Sequence, residues 1–207
     1  MMFRRTIRRR WLATGLAGII LATGTAVPAN AAPNPKNLRN REILQTAYYE
    51  PRDAYFQLAK DVVNRTGTGK WAFAVQKARN TQYKDRKGRL ARIDTAELHQ
   101  WIVETFDFAD LPASNGVWVG LRYWCGVRML TWADGETHRP GAFAPWDTPW
   151  HRTDIRCGSN NMPYMGVYYE PQSSRWKATG YNKRFRYYLI EFPPKEKEDL
   201  SKTGKSS

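Results

Sequence analysis

Between Val117 and Gly135 the chain reads VWVGLRYWCGVRMLTWADG, which places three tryptophans, a tyrosine and one of the two cysteines in one short segment. Val117, Val119 and Leu121 alternate as the buried face of a strand, and Gly120 between them admits a neighbouring backbone closely. Trp118 and Trp132 read as core residues first and ligand contacts second, because large aromatic side chains are on average highly buried. Any fold for this chain must therefore bury a broad aromatic surface around one strand.

The rest of the chain can supply that burial once. At 207 residues, 42% hydrophobic and 14% aromatic, it has material for one ordinary core in a single domain, and a disordered protein would not carry so many rings. The opening MMFRRTIRRRWLATGLAGIILATGTAVPANAA has a positive start, an apolar run from Trp11 to about Val27 and small residues at Ala29 and Ala31. This pattern reads as an export signal over residues 1–31. An uncleaved anchor fits less well, because Thr and Gly interrupt the apolar run and it falls short of a comfortable span. Arg8-Arg9-Arg10-Trp11-Leu12 also loosely resembles the twin-arginine export pattern. Residues 32–48, with Pro33 and Pro35 near their start, read as a tether, residues 49–193 as the domain, and the polar residues 194–207 as a disordered tail.

The whole chain carries a formal net charge of +14, and removal of residues 1–31 takes away five arginines and no acids, leaving 28 Lys and Arg against 19 Asp and Glu, or +9. A basic exported protein favours anionic polymers such as acidic glycans, lipopolysaccharide, teichoic acid or nucleic acid, though charge alone identifies no partner. Cys125 and Cys157 leave one possible disulfide, which an oxidising compartment permits. A metal pair has no nearby ligands at a familiar spacing.

Along the domain, Asp53 to Leu58 reads as a first strand and Asn64 to Gly69 as a loop. Trp71, Ala74, Val75 and Ala78 recur at helical spacing up to about Gln82, and Asp85 to Gly88 forms a turn. Arg89 to Ile93 is a short strand, and Asp94 or Thr95 caps a second helix bearing Leu98, Trp101, Ile102 and Phe106, which ends before Leu111-Pro112. Val117 to Leu121 is the next strand, followed by a long aromatic loop to about Tyr164 and late strands near Met165–Glu170, Arg175–Ala178 and Arg184–Phe192. Helices first and most strands later is an α+β layout.

These elements carry words in an order that resembles the C-type lectin-like domain, from about Tyr55 to Phe192. The words are Trp71-Ala72-Phe73-Ala74, then Trp118-Val119-Gly120-Leu121, Trp132-Ala133-Asp134-Gly135, a further Trp at 146, and Tyr188-Leu189-Ile190-Glu191. The resemblance implies an α+β fold with two helices packed on antiparallel sheets and a long loop region that binds ligand. Departures are equally specific. The family bridge between the first helix and the last strand would need cysteines where Ala78 and Ile190 stand, and a second would need one near Gly180, so a Cys125–Cys157 link would be atypical. The Trp-Asn-Asp word that helps hold calcium reads Trp176-Lys177-Ala178 here, and Glu170-Pro171-Gln172 stands too close to it to be the family's upstream triplet. Calcium needs six to eight oxygen ligands, so no cofactor is expected through those words, although Asp134, Glu136, Asp147 and Asp154 leave a loop ion open.

The expected function is an exported, periplasmic or secreted binding module whose loop from Cys125 to Tyr164 takes a glycan or a cell-surface protein. Candidate contacts are Arg139, Phe143, Trp146, Trp150, Arg152, Arg156 and Tyr164, with Arg128 beside them, because flat rings stack on sugars and guanidinium forks grip acids. No transmembrane span is expected once the signal is cleaved. The alternative is a basic adhesin or structural envelope protein that binds polyanions through Arg175, Lys177, Lys183, Arg184 and Arg186. An enzyme would have to use His99, His138, His151 or the cysteines, none of which stands in a catalytic motif. The formylglycine-generating relatives of this fold, with their paired cysteines, occupy a much larger domain.

Overall fold

The computed structural model describes residues 41–62, 69–147, 157 and 162–195. The expected signal segment, most of the loop from Asn64 to Gly69, the tail from residue 196, and Trp150, His151, Arg152, Asp154 and Arg156 lie outside the described residues.

One sheet organises the domain. β1 (Arg41–Tyr49) and β2 (Ala54–Asp61) form an antiparallel hairpin through a single 3-10 turn, Glu50–Arg52, which closes on Asp53 in the left-handed region at φ 46°. β2 pairs with the C-terminal strand β10 (Tyr187–Phe192), which lies parallel to β6 (Val117–Trp124). β8 (Tyr164–Glu170) and β9 (Arg175–Gly180) continue antiparallel from β6, while β5 (Arg89–Leu90) joins β10 and β7 (Met129–Trp132) joins the far half of β6. β3 (Gln82–Tyr83) and β4 (Arg86–Lys87) make a separate small hairpin turning at Lys84 and Asp85. All these pairings are antiparallel except that of β10 with β6.

The two helices take opposite faces of the sheet, and the strand alternation shows why. Val117, Val119 and Leu121 of β6 and Leu189 of β10 share a core with Leu98 and Ile102 of α2 (Ala96–Thr105). Trp118, Tyr188, Ile190 and Phe192 share the other with Trp71, Ala74, Val75 and Ala78 of α1 (Trp71–Arg79). Thr95 caps α2, its hydroxyl accepting from the Leu98 N–H at 3.2 Å. α1 stops at Arg79, a turn earlier than its periodicity suggests. There the Thr81 hydroxyl donates to the Lys77 carbonyl and the chain turns into the small hairpin.

Three expectations need correction. The tether expected over residues 32–48 is strand from Arg41 onward. Its half-buried side carries Arg41, Ile43, Gln45 and Ala47, a mixed set with no clear alternation in the sequence, and pairing with β2 is what makes it a strand. The strand expected to end at Leu121 continues to Trp124, and the loop expected to run unbroken from Cys125 contains β7, whose Leu130 carbonyl accepts from the His138 N–H at 2.9 Å.

Where the lectin-like pattern carries a disulfide, Ala78 and Ile190 are both completely buried in the α1-side core. Gly88 is wedged between them, since a Cβ there would lie 2.6 Å from the Ala78 carbonyl oxygen and 3.0 Å from Ile190 Cγ2. Aliphatic packing thus joins these elements without a covalent link. On the last strand the Glu191 carboxylate is almost fully buried and takes both Nε and Nη2 of Arg89 at 3.1 Å, together with the Arg92 N–H at 3.0 Å.

Gly120 is the tightest point of β6. Its N–H donates to the Ala91 carbonyl at 2.8 Å, and a Cβ would stand 2.7 Å from the Leu90 carbonyl oxygen and 2.9 Å from that of Ala91. Both obstacles are backbone, so they cannot swing aside. Gly120→Ala is expected to cost about 2 to 3 kcal/mol through overpacking. Urea unfolding checks it, and a loss below about 1 kcal/mol would contradict the close approach.

Candidate ligand-binding site

The described part of the long loop rests on an aromatic floor centred on Trp176 of β9. Trp132, Phe143, Trp146 and Tyr169 all meet the Trp176 ring edge-on, with centroids 5.6 to 6.5 Å away. Backbone contacts fasten the loop to the same strand: Trp176 N–H donates to the Pro145 carbonyl at 2.8 Å, and Asp147 N–H donates to the Trp176 carbonyl at 2.9 Å. His138 is buried beside Trp132 and donates from Nε2 to the Phe143 carbonyl at 3.0 Å. His99 reaches up from α2, its Nδ1 hydrogen-bonded to the Tyr169 hydroxyl at 2.8 Å. Burial, and then the charge of Arg175, lower the His99 pKa, while burial pushes the Tyr169 phenol far up. Both groups stay uncharged near neutrality, and His99 and His138 each have an internal partner.

Of the candidate contacts, Phe143 and Trp146 are half-buried parts of this floor, and Arg139 is exposed. Tyr164 lies apart from them, as the first residue of β8, half-buried against Trp71, Trp124 and Tyr181. Trp150, Arg152 and Arg156 lie outside the described residues. Cys125 and Cys157 are disulfide-bonded, so the chain after β6 is tied covalently to the far part of the loop. Trp118 and Trp132 are both core residues, each almost completely buried.

The described loop carboxylates are matched by cations of the domain. Lys177, standing where the calcium word would place an oxygen ligand, lies 3.3 Å from Asp147 and 3.8 Å from Glu170. Asp134 lies 3.2 Å from Arg89 and 3.6 Å from Arg92, and Glu136 3.7 Å from Arg92. Among the described residues no group of three His, Cys, Asp or Glu side chains is placed to hold a metal ion. The basic stripe proposed for polyanions is also partly engaged: Arg186 donates twice to the Asp61 carbonyl, and Lys183 lies over the Phe185 ring.

A second cluster, on the α1 side, was not legible as a site. Arg122 of β6 stacks its guanidinium 4.0 Å from the Trp124 ring centroid, with Trp71 at 5.1 Å and Tyr164 at 5.9 Å. Thr131 of β7 anchors both partners, its hydroxyl accepting from Trp124 Nε1 at 3.0 Å and from Arg122 Nε at 3.4 Å. The available signal was the alternation Trp118, Gly120, Arg122, Trp124, which puts a cation on a face otherwise filled by rings and glycine.

No family model and no curated protein matches the chain. Among solved structures it is similar to the crystal structure of CEL-IV, at 18% identity over 73% of this chain and 94% of that one, with a TM-score of 0.50. It is also similar to the C-type lectin CEL-I from Cucumaria echinata, at 14% identity over 67% of this chain and 89% of that one, with a TM-score of 0.47. The mouse scavenger receptor C-type lectin carbohydrate-recognition domain shows 14% identity, over 72% of this chain and 95% of that one, with a TM-score of 0.47. Two helices on opposite faces of one sheet, the Trp118 to Leu121 word at its centre and the likeness to CEL-IV agree: the chain has the C-type lectin-like fold.

Proposed function

We propose that this protein is an exported, non-enzymatic binding module that recognises a carbohydrate or protein ligand at the cell envelope or outside the cell. Recognition uses the long-loop region and does not follow the usual calcium mechanism. The observation that carries this reading is the internal pairing of carboxylates within a lectin-like fold, Asp147 of the loop and Glu170 at the end of β8 on Lys177, Asp134 and Glu136 on Arg92. A calcium ion would have to take those oxygens away from cations already beside them. Rings and arginines remain as the recognising groups: Arg139 and Tyr164 from the described residues, Trp150, Arg152 and Arg156 from the sequence. The disulfide fits an oxidising compartment, and no helix among the described residues is long and apolar enough to cross a membrane.

A glycan and cell-surface-protein array probed with the purified protein, in calcium and again in EDTA, tests this. Binding is expected to a restricted set of ligands, with signals that agree within about twofold in the two buffers. Complete loss of binding in EDTA would overturn the calcium-independent reading, and no binding in either buffer would overturn the module itself.

A further inference from the structure

Arg122 is held in a way that an internal role leaves unexplained. A guanidinium presents five N–H donors, and among the described residues this one gives only Nε, over a long 3.4 Å, to a neutral hydroxyl. Unlike Arg52, Arg86, Arg89 and Arg92, it has no carboxylate beside it among the described residues. It is half-buried between the rings of Trp124, Trp71 and Tyr164. Burial lowers its pKa; the Tyr164 hydroxyl opposes that fall and the charge of Arg79 adds to it. Arg79, at the end of α1, gives Nη2 to the Ala133 carbonyl and likewise has no carboxylate partner among the described residues. Two neighbouring cations without a counter-charge among the described residues, one partly withdrawn from water, are an unfavourable arrangement until an anion arrives.

We infer that the surface between α1 and the β6–β7 pair is an oxyanion site that receives the acidic group of a saccharide. Arg122 supplies the planar fork, with both Nη atoms without a hydrogen-bond partner among the described residues and so open to a bidentate grip on a carboxylate or sulfate, and stacking on Trp124 sets the orientation of that fork in advance. Arg79 contributes the second positive charge. Trp124 and Tyr164 supply ring surface beside the acid, which suits a sugar better than a bare ion. The inference rests on the binding-module reading and narrows its ligand to an acidic glycan.

Isothermal titration of the full protein with a galacturonic acid trisaccharide, its fully methyl-esterified counterpart and a sulfated trisaccharide tests the site. The acid is expected to bind at least tenfold more tightly than the ester. Arg122→Gln should weaken acid binding at least tenfold. Arg122→Lys, which keeps the charge and loses the fork, should weaken it at least fivefold, and Arg79→Gln about threefold. Lys87→Gln, on the exposed β4, should change nothing. Binding of the sulfated sugar alone, with the same dependence on Arg122, keeps the site and assigns its acid as a sulfate ester.

Should Arg122→Gln fail to fold, judged by its melting curve, Arg122→Lys and Arg79→Gln carry the same comparison. Measurable binding of acid and ester with equal affinity, or acid binding unchanged in both Arg122 variants, would overturn the proposal. So would an Arg122-dependent affinity for a glutamate-rich peptide with none for the sugars. Array binding of neutral glycans that survives Arg122→Gln, with acid and ester bound alike, leaves the module reading standing while removing this site, whereas absence of all binding removes both.

Discussion

Trp176→Ala is expected to destabilise the domain by about 3 to 5 kcal/mol, the range for emptying a large buried ring, and to lower the melting temperature by roughly 10 °C. The side chain is 1% exposed and touches four other aromatic residues, two of them, Phe143 and Trp146, from the loop. Loop and core are therefore to be lost together. The cavity would lie directly under the segment whose backbone bonds to Trp176 at Pro145 and Asp147. Urea unfolding read by tryptophan fluorescence measures the loss, and limited proteolysis between Phe143 and Asp147 reports whether the loop loosens first. A loss below about 1.5 kcal/mol with unchanged proteolysis would show that the floor does not depend on this ring.

Reduction of the Cys125–Cys157 disulfide, or Cys125→Ser with Cys157→Ser, is expected to cost about 3 to 4 kcal/mol on chain-entropy grounds. The two residues are separated by 32 positions, and the bond forbids many open arrangements of the unfolded chain. The other half of the effect belongs to the folded state. Cys125 follows directly on β6, where its N–H donates to the Pro163 carbonyl at 3.1 Å, so the bond ties Cys157 to the end of the strand that carries Arg122 and Trp124. Melting curves with and without reductant give the stability term, and array binding by the reduced protein gives the functional one. A difference of less than about 1 kcal/mol would mean that the chain around the two cysteines is already restrained by its other contacts.

Much of the scaffold was legible because its signals are local. The α1 pattern, the Thr95 cap and the alternation of Val117, Val119 and Leu121 each follow from spacing over a few residues, and each recurs in the structure. β1 was missed because its inward side includes Arg41 and Gln45, and its identity comes from a partner strand. Arg41 is held in place by the Thr81 hydroxyl, a contact no window of sequence displays. β7 was missed for a similar reason, since Met129 is exposed and the strand is defined by pairing with the end of β6.

The candidate site divides the same way. Its residue types were readable, aromatic rings and arginines in a loop without the calcium words, and so was the pairing of the only two cysteines. Which rings face inward was not. Phe143 and Trp146 turn onto Trp176, while Tyr164 sits on a strand beside Arg122, because the register of β6 with β8 sets Trp124 against Tyr164. By itself, the sequence determined the α+β class, the core role of Trp118 and Trp132 and the lysine in place of an oxygen ligand, since all three depend on residue identity and short-range order. Only the tertiary structure decided that Lys177 has Asp147 and Glu170 as partners and that Arg122 and Arg79 come near each other with no carboxylate partner of their own among the described residues. Charge pairing depends on which side chains distant strands bring within a few ångströms, and that is a property of register, not of spacing along the chain.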